Sequence, residues 1–163
     1  KTSLVRRFVL DTFDDQYINT LGTKVSSKQL TVTLPAGAGV AKVDMWIWDI
    51  MGQPGVRETL KEAYFWGAKG ILAVCDATRR KTLADLEVWI DGVFSIVGPI
   101  PVVILANKAD LIDQMQVTGQ DLERATASYG GHFFFTSSKT GQNVEAAFET
   151  LARLMVDARF GAT

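Results

Sequence analysis

Residues 100–110 read Ile-Pro-Val-Val-Ile-Leu-Ala-Asn-Lys-Ala-Asp. The first seven are apolar without alternation, the pattern of a strand covered on both faces. Two further runs have the same character, Gly70-Ile-Leu-Ala-Val-Cys75 and His132-Phe-Phe-Phe135. Between them lie helical patterns. Leu83, Leu86, Trp89, Ile90, Val93, Phe94 and Val97 recur at three and four residues and form one apolar stripe. Thr82 with Asp85, and Thr118 with Asp121, have the spacing of capping boxes. Asn143 is placed to cap a last helix whose core face would be Val144, Ala147, Phe148, Leu151 and Leu154. Upstream, Lys28–Leu34 and Val40–Asp49 are strand-like and flank Pro35-Ala-Gly-Ala-Gly39, so they form a hairpin. Strand–helix alternation after an antiparallel pair predicts an α/β fold: a mostly parallel sheet with one antiparallel edge strand and helices on both faces.

Composition narrows the function classes. The length of 163 residues suits a single domain with a proper core, and 47% hydrophobic with 21% charged residues excludes a disordered chain. A net charge of −1 leaves no basic field to recruit nucleic acid. The lone Cys75 excludes a disulfide framework and fits a reducing compartment, so a cytoplasmic location is expected. No apolar stretch approaches the ~18 residues of a membrane span, and the terminal Phe-Gly-Ala-Thr lacks a prenylation cysteine. No membrane anchor is expected in this chain, so any peripheral membrane location would come through partners.

In open α/β sheets, ligands bind at the carboxyl ends of the strands. There the sequence places Asp49-Ile-Met-Gly-Gln53, Asn107-Lys-Ala-Asp110 and Thr136-Ser-Ser-Lys139, polar groups that folding does not require. Asn107-Lys-Ala-Asp110 matches N-K-x-D. A carboxylate accepts two hydrogen bonds in a fork, and guanine offers N1–H and N2–H₂ side by side where adenine does not. Asp110 would therefore select the base, Asn107 would tie neighbouring loops, and the Lys108 stem would lie along one face of the base. A solvated turn would show the same residues, and such a match recurs in ~2 in 100 chains of this size. Asp49-x-x-Gly52-Gln53 is D-x-x-G-Q. An Asp there can hold a Mg²⁺-bound water, Gly52 lets its N–H approach a terminal phosphate, and Gln53 can orient an attacking water. An Asp–Gly turn is the plain alternative. The opening Lys1-Thr2-Ser3 with its amphipathic continuation looks like the end of a phosphate loop, G-x-x-x-x-G-K-[ST], whose front half is absent.

Taken together and in this order, these motifs resemble the Ras superfamily of small GTPases over essentially the whole chain. Rab-like members are the most similar, through Trp46-Ile-Trp-Asp49, Tyr17-Ile-Asn-Thr-Leu-Gly22 and Tyr64-Phe-Trp-Gly-Ala68. The resemblance implies a P-loop NTPase fold over residues 1–163 and a molecular switch that binds GTP or GDP with Mg²⁺ and hydrolyses GTP. It implies Lys1 on the β- and γ-phosphates, with Thr2, Thr20 and Asp49 as the metal-side residues. Thr20 would be the switch-one threonine, its hydroxyl on Mg²⁺ and its amide on the γ-phosphate. Phe13 would lie against the guanine edge, with Ser3 and Tyr17 beside the nucleotide. Ser137-Ser138-Lys139 stands for the usual S-A-K, whose middle amide meets guanine O6. Catalysis would fall to Gln53, Lys1 and Thr20. Effectors, exchange factors and GTPase-activating proteins would read the loops around Thr20 and Gly52–Arg57.

Four departures qualify the match. The strand and Gly-rich turn before Lys1 are missing, so the chain is expected to be an N-terminally truncated copy lacking the first central strand. Pro54 replaces the family's Glu after the glutamine, the hairpin is lengthened at Pro35–Gly39, and Val25 stands where Rab-like proteins show an aromatic. The competing function class is a nucleotide-independent interaction module or inactive remnant, against which the intact Lys, Thr, Asp, Gln and Asp set speaks. Elsewhere His132 and Cys75 are expected to be structural, Arg79-Arg80-Lys81 a solvated corner, and at least one of Trp46 and Trp48 to face the core. Hydrolysis by the full-length protein alone should be slow, because Tyr17 occupies the place of the cis arginine of some relatives.

Proline restricts the residue before it, so Gln53 should be poorly placed until a partner remodels its loop. Pro54→Glu is therefore expected to raise single-turnover GTP hydrolysis by the full-length protein. Unchanged kinetics in Pro54→Glu, with Gln53→Leu slower, would show the proline to be incidental.

Overall fold

The computed structural model describes residues 1–14, 23–34, 39–50 and 62–161. Helix α1 (Thr2–Leu10) is followed by the antiparallel strands β1 (Thr23–Thr33) and β2 (Val40–Ile50). Then come β3 (Ile71–Asp76), one helical turn at Lys81–Ala84, α2 (Leu86–Val97) and β4 (Val102–Asn107). Helix α3 (Gly119–Thr126), β5 (Phe133–Thr136) and α4 (Val144–Phe160) complete the order. Strands β3, β4 and β5 form a parallel sheet with β4 in the middle, while β1 and β2 form a separate two-stranded sheet. Among the described residues no strand joins β2 to β3, the interval that the resemblance assigns to a strand upstream of Lys1.

The alternation hidden in the apolar run of β4 is visible in its packing. Val103 and Leu105 enter a core with Leu4 and Phe8 of α1, Leu30, Val32 and Met45 of the hairpin, and Val144, Ala147, Phe148 and Leu151 of α4. Val102, Ile104 and Ala106 enter a second core with Ala73, Cys75, Leu86 and Ile90 of α2, and Leu122 of α3. Helices thus cover both faces, and every residue of β4 is buried. In the first core the Phe8 and Phe148 rings stack 3.9 Å apart, nearly parallel. The Lys28 ammonium sits 4.1 Å from the centre of the Phe8 ring and donates to the Phe8 carbonyl at 2.7 Å. A cation at that last turn satisfies an orphan carbonyl and favours the helix dipole. A Cβ at Gly70 would lie 2.9 Å from Leu151 Cδ1 and Met155 Sδ, so a side chain there would require those two to shift.

Several local expectations change. Trp46 and Trp48 both point outward, 68% and 50% exposed, because residues two apart share one face of a strand. Ile47 and Met45 hold the inner face instead. Strand β1 begins at Thr23, five residues before the expected start, pairing with the whole length of β2. Strands β3 and β4 begin one and two residues later than expected; Pro101 has no N–H to donate, and its carbonyl accepts from Ile71 at 2.9 Å. Thr118 and Asp121 form the expected capping box. Thr82 does not cap with Asp85; its hydroxyl accepts from the Asp76 amide at 2.9 Å and donates to the Arg79 carbonyl at 2.7 Å. Asn143 stands at the cap position of α4 but in a left-handed conformation (φ 55), with its amide donating to the Phe135 carbonyl at 2.9 Å. Cys75 is a core residue whose thiol is pushed up to about 12 by burial, so it is unreactive at neutral pH.

Candidate functional site

The polar rim gathers where the carboxyl ends of β2, β3, β4 and β5 meet the start of α1. At its centre is Asn107, the buried last residue of β4. Its Oδ1 accepts from the Thr136 hydroxyl at 3.3 Å, the Ser138 amide at 3.2 Å and the Ser138 hydroxyl at 3.1 Å. One side chain therefore ties the loop after β4 to the loop after β5. A second tie lies outside it, the Ser137 hydroxyl donating to Asp110 Oδ1 at 2.6 Å. Ser137 is fully buried, so its hydroxyl holds the carboxylate in one orientation. That oxygen keeps a further lone pair and the other oxygen keeps both, enough for a forked pair of donors.

Backbone bonds close both loops. Ala109 N–H donates to the Thr136 carbonyl at 3.0 Å, Ser137 N–H to Gln142 at 3.1 Å, and Gly141 N–H to Ser137 at 2.8 Å. Lys108 takes a left-handed conformation (φ 72), costly for a residue with a Cβ. Its ammonium meets the Asp76 carboxylate at 2.7 Å. Asp76 ends β3, is buried, and also accepts from the Thr78 amide at 3.0 Å, the Thr78 hydroxyl at 2.6 Å and Arg79 Nε at 3.0 Å. Burial pushes this carboxyl up, but the bonds from Lys108 and Thr78 outweigh it and hold it down to about 2.

At the opposite end of the rim the Thr2 hydroxyl donates to the buried Asp49 carboxylate in a very short contact. This joins two of the three residues expected at a metal. The pair is oxygen-only and contributes one carboxylate, the donor set of a Mg²⁺ that takes its remaining ligands from water and phosphate. Lys1 stands at the cap position of α1, next to Thr2. Ser3 lies in the first turn of α1, and Phe13 lies partly buried just past Asp11, where the chain leaves α1.

The structure thus unites Lys1, Thr2 and Asp49 at one end and Asn107, Lys108, Asp110, Ser137, Ser138 and Lys139 at the other. Tyr17, Thr20, Gly52, Gln53 and the remainder of the Gly52–Arg57 loop lie outside the described residues, as does most of the Pro35–Gly39 turn. The Ser138 substitution keeps its amide, as expected, but that amide is bonded to Asn107 and the added hydroxyl folds onto the same oxygen. Sequence reasoning missed Asp76, Arg79 and Arg7. Asp76 had a usable signal, an Asp ending an apolar strand in line with Asp49 and Asn107. The corner at Arg79–Lys81 is solvated as expected, with Arg79 and Arg80 paired to Asp76 and Asp121. Among the described residues no group of three or more His, Cys, Asp or Glu could hold a metal by itself, and no helix is long and apolar enough to cross a membrane.

A parallel sheet with helices on both faces, an Asp–Ser and Asn–Ser clasp between two strand-end loops, and a Thr–Asp pair at a helix start are an α/β arrangement of the small G-protein type. Residues 1–157 match the Ras family. The chain is 37% identical over 154 residues to Ras-related protein Rab-8B of Homo sapiens, covering 94% of this chain and 71% of that protein. It is 36% identical over 154 residues to Rab-8A of Gallus gallus, with the same coverage, and 37% identical to Rab-8 of Diplobatis ommata, covering 70% of the latter. The chain belongs to the Ras family and is a Rab-like member of the Ras superfamily of small GTPases.

The Asp76 ion pair can be tested by titration. A carboxyl whose folded value is about 2 against an ordinary 3.8 stabilises the fold fully above the ordinary value and loses that contribution as pH falls toward about 2. The contribution is about 2 kcal/mol by linkage. NMR titration of the Asp76 carboxyl should give a midpoint near 2, raised toward 3.8 by Lys108→Ala. An ordinary midpoint that ignores Lys108→Ala would contradict the pairing.

Proposed function

We propose that this chain is the guanine-nucleotide-binding domain of a molecular switch that hydrolyses GTP to GDP. The observation that carries the reading is the clasp between the loops after β4 and β5, in which Ser137 orients Asp110 and Asn107 gathers Thr136 and Ser138. A turn with no ligand has no need of a carboxylate fixed by a buried hydroxyl beside an Asn that collects three donors. In this reading Asp110 accepts from guanine N1–H and N2–H₂, and the Lys108 stem, tethered through its ammonium to Asp76, covers one face of the base. The loop after β5 presents its backbone to O6; the Ser138 N–H expected there is held by Asn107 in this structure.

Lys1 and the first turn of α1 take the phosphates, with charge and helix dipole both favouring an anion there. Thr2 and Asp49, with Thr20, would hold Mg²⁺, which supplies charge neutralisation of the β- and γ-phosphate oxygens when bound. Gln53 orients the attacking water, and the amide of Gly52 and that of Thr20 sense whether a γ-phosphate is present. Loss of that phosphate releases both loops, and effectors, exchange factors and GTPase-activating proteins read the difference. The protein works at the cytoplasmic side, peripheral to membranes.

Base selection by Asp110 provides the test. Asp110→Asn keeps the shape but sets an NH₂ against the exocyclic NH₂ of guanine, leaving two donors opposed. The loss should be on the order of 2–5 kcal/mol, or ~30- to several-thousand-fold in GTP affinity. Xanthine carries a carbonyl at that position and pairs with the new donor. Competition binding to the full-length protein should show a switch from GTP to xanthosine triphosphate in the variant. An unchanged order of preference, or a wild type that prefers ATP, would reduce residues 107–110 to a turn and favour a nucleotide-independent interaction module.

A further inference from the structure

Arg7 lies on α1, and its guanidinium is spent almost wholly on backbone. Nε donates to the Ser138 carbonyl at 2.9 Å and Nη2 to the Lys139 carbonyl at 2.7 Å. Nη1 donates to the Asp11 carbonyl at 3.2 Å and to its carboxylate at 3.0 Å. The side chain is only 18% exposed, although its partner Asp11 is open to solvent. An arginine engaged with two successive carbonyls sets two successive peptide planes, because each peptide is rigid and trans. Its planar fork suits that task, and a lysine has no equivalent.

Which N–H groups those planes aim can be followed one by one. The Ser138 carbonyl shares its plane with the Lys139 N–H, and the Lys139 carbonyl with the Thr140 N–H. Thr140 N–H already donates to the Ser137 hydroxyl at 3.1 Å, and Ser138 N–H to Asn107 at 3.2 Å. Among the described residues the Lys139 N–H has no hydrogen-bond partner. It is the donor left available in this loop, and the plane that carries it is the one Arg7 holds through Ser138. The same guanidinium binds Asp11, the left-handed residue (φ 52) at which the chain leaves α1 for Phe13.

We propose that Arg7 is a positioning residue for guanine recognition, fixing the peptide of Ser138–Lys139 from behind so that the Lys139 N–H meets guanine O6. This rests on the reading of the site as a guanine site. Arg7 touches no nucleotide in this arrangement and acts through the backbone alone. Its removal should therefore weaken one atom's recognition rather than nucleotide binding in general.

The test couples Arg7 to O6 in the full-length protein, using GDP, 6-thio-GDP and ADP in competition. 6-thio-GDP replaces O6 by sulfur, a poor acceptor, so wild type should bind it about tenfold more weakly than GDP, the worth of one hydrogen bond. In Arg7→Ala, GDP binding should weaken by about tenfold while 6-thio-GDP binding hardly changes, so the ratio collapses toward one. Arg7→Lys, which keeps the charge without the fork, should give the same collapse and serves if Arg7→Ala does not fold. A merely structural role would weaken both ligands equally and leave the ratio intact, and that result, or no change in either, overturns the proposal. A wild type that does not prefer GDP to ADP overturns the guanine reading and this proposal with it. A wild type that prefers GDP, with a ratio indifferent to Arg7, overturns this proposal alone.

Discussion

The structure depends on one buried acceptor. Asn107 Oδ1 takes three donors from the strand-end loop of β5, and the two rim loops are positioned relative to that oxygen. Asn107 can do this because β4 is the middle strand and is packed by helices on both faces, which fixes where its end lies. The clasp has an energetic logic as well. A buried side-chain amide without partners costs more than its hydrogen bonds return when made, so the arrangement is close to all-or-none. Its neighbours inherit that rigidity: Asp110 through Ser137, Lys108 through its strained backbone and Asp76, and the Ser138–Lys139 peptide through Arg7.

Much of this was legible in the residues, for reasons that differ by element. The run at Val102–Ala106 announces a doubly covered strand because both faces must be apolar, and it is the element read best. The rim motifs were legible because they are polar where folding asks for nothing polar. The tryptophans of β2 were misread although the rule needed was simple: a period of two places Trp46 and Trp48 together, and Met45 had the better claim to the core. The capping box at Thr82 failed because the Asp76 amide, as donor, and the Arg79 carbonyl, as acceptor, took its hydroxyl. Such competition between local and long-range hydrogen bonds has no signature in spacing.

Asp76 and Arg7 mark a different limit. Each acts on a residue more than thirty positions away, Asp76 on Lys108 and Arg7 on Ser138 and Lys139. A single sequence carries the chemistry of such pairs but not their meeting. It is the parallel sheet, by bringing the ends of β3, β4 and β5 to one rim, that turns an isolated Asp and an isolated Arg into supports of one site.

Whether the clasp reads guanine can be decided on the wild-type full-length protein by measuring affinities for GDP, inosine diphosphate and ADP at one Mg²⁺ concentration. Inosine lacks the exocyclic amine but keeps N1–H and O6, so it forfeits one of the two donors to Asp110. It should bind about tenfold more weakly than GDP. ADP offers neither donor of the fork and leaves the oriented carboxylate unpaired, so it should fall behind by ~10⁴-fold. Equal affinity for all three would contradict the assignment of Asp110 and the clasp behind it.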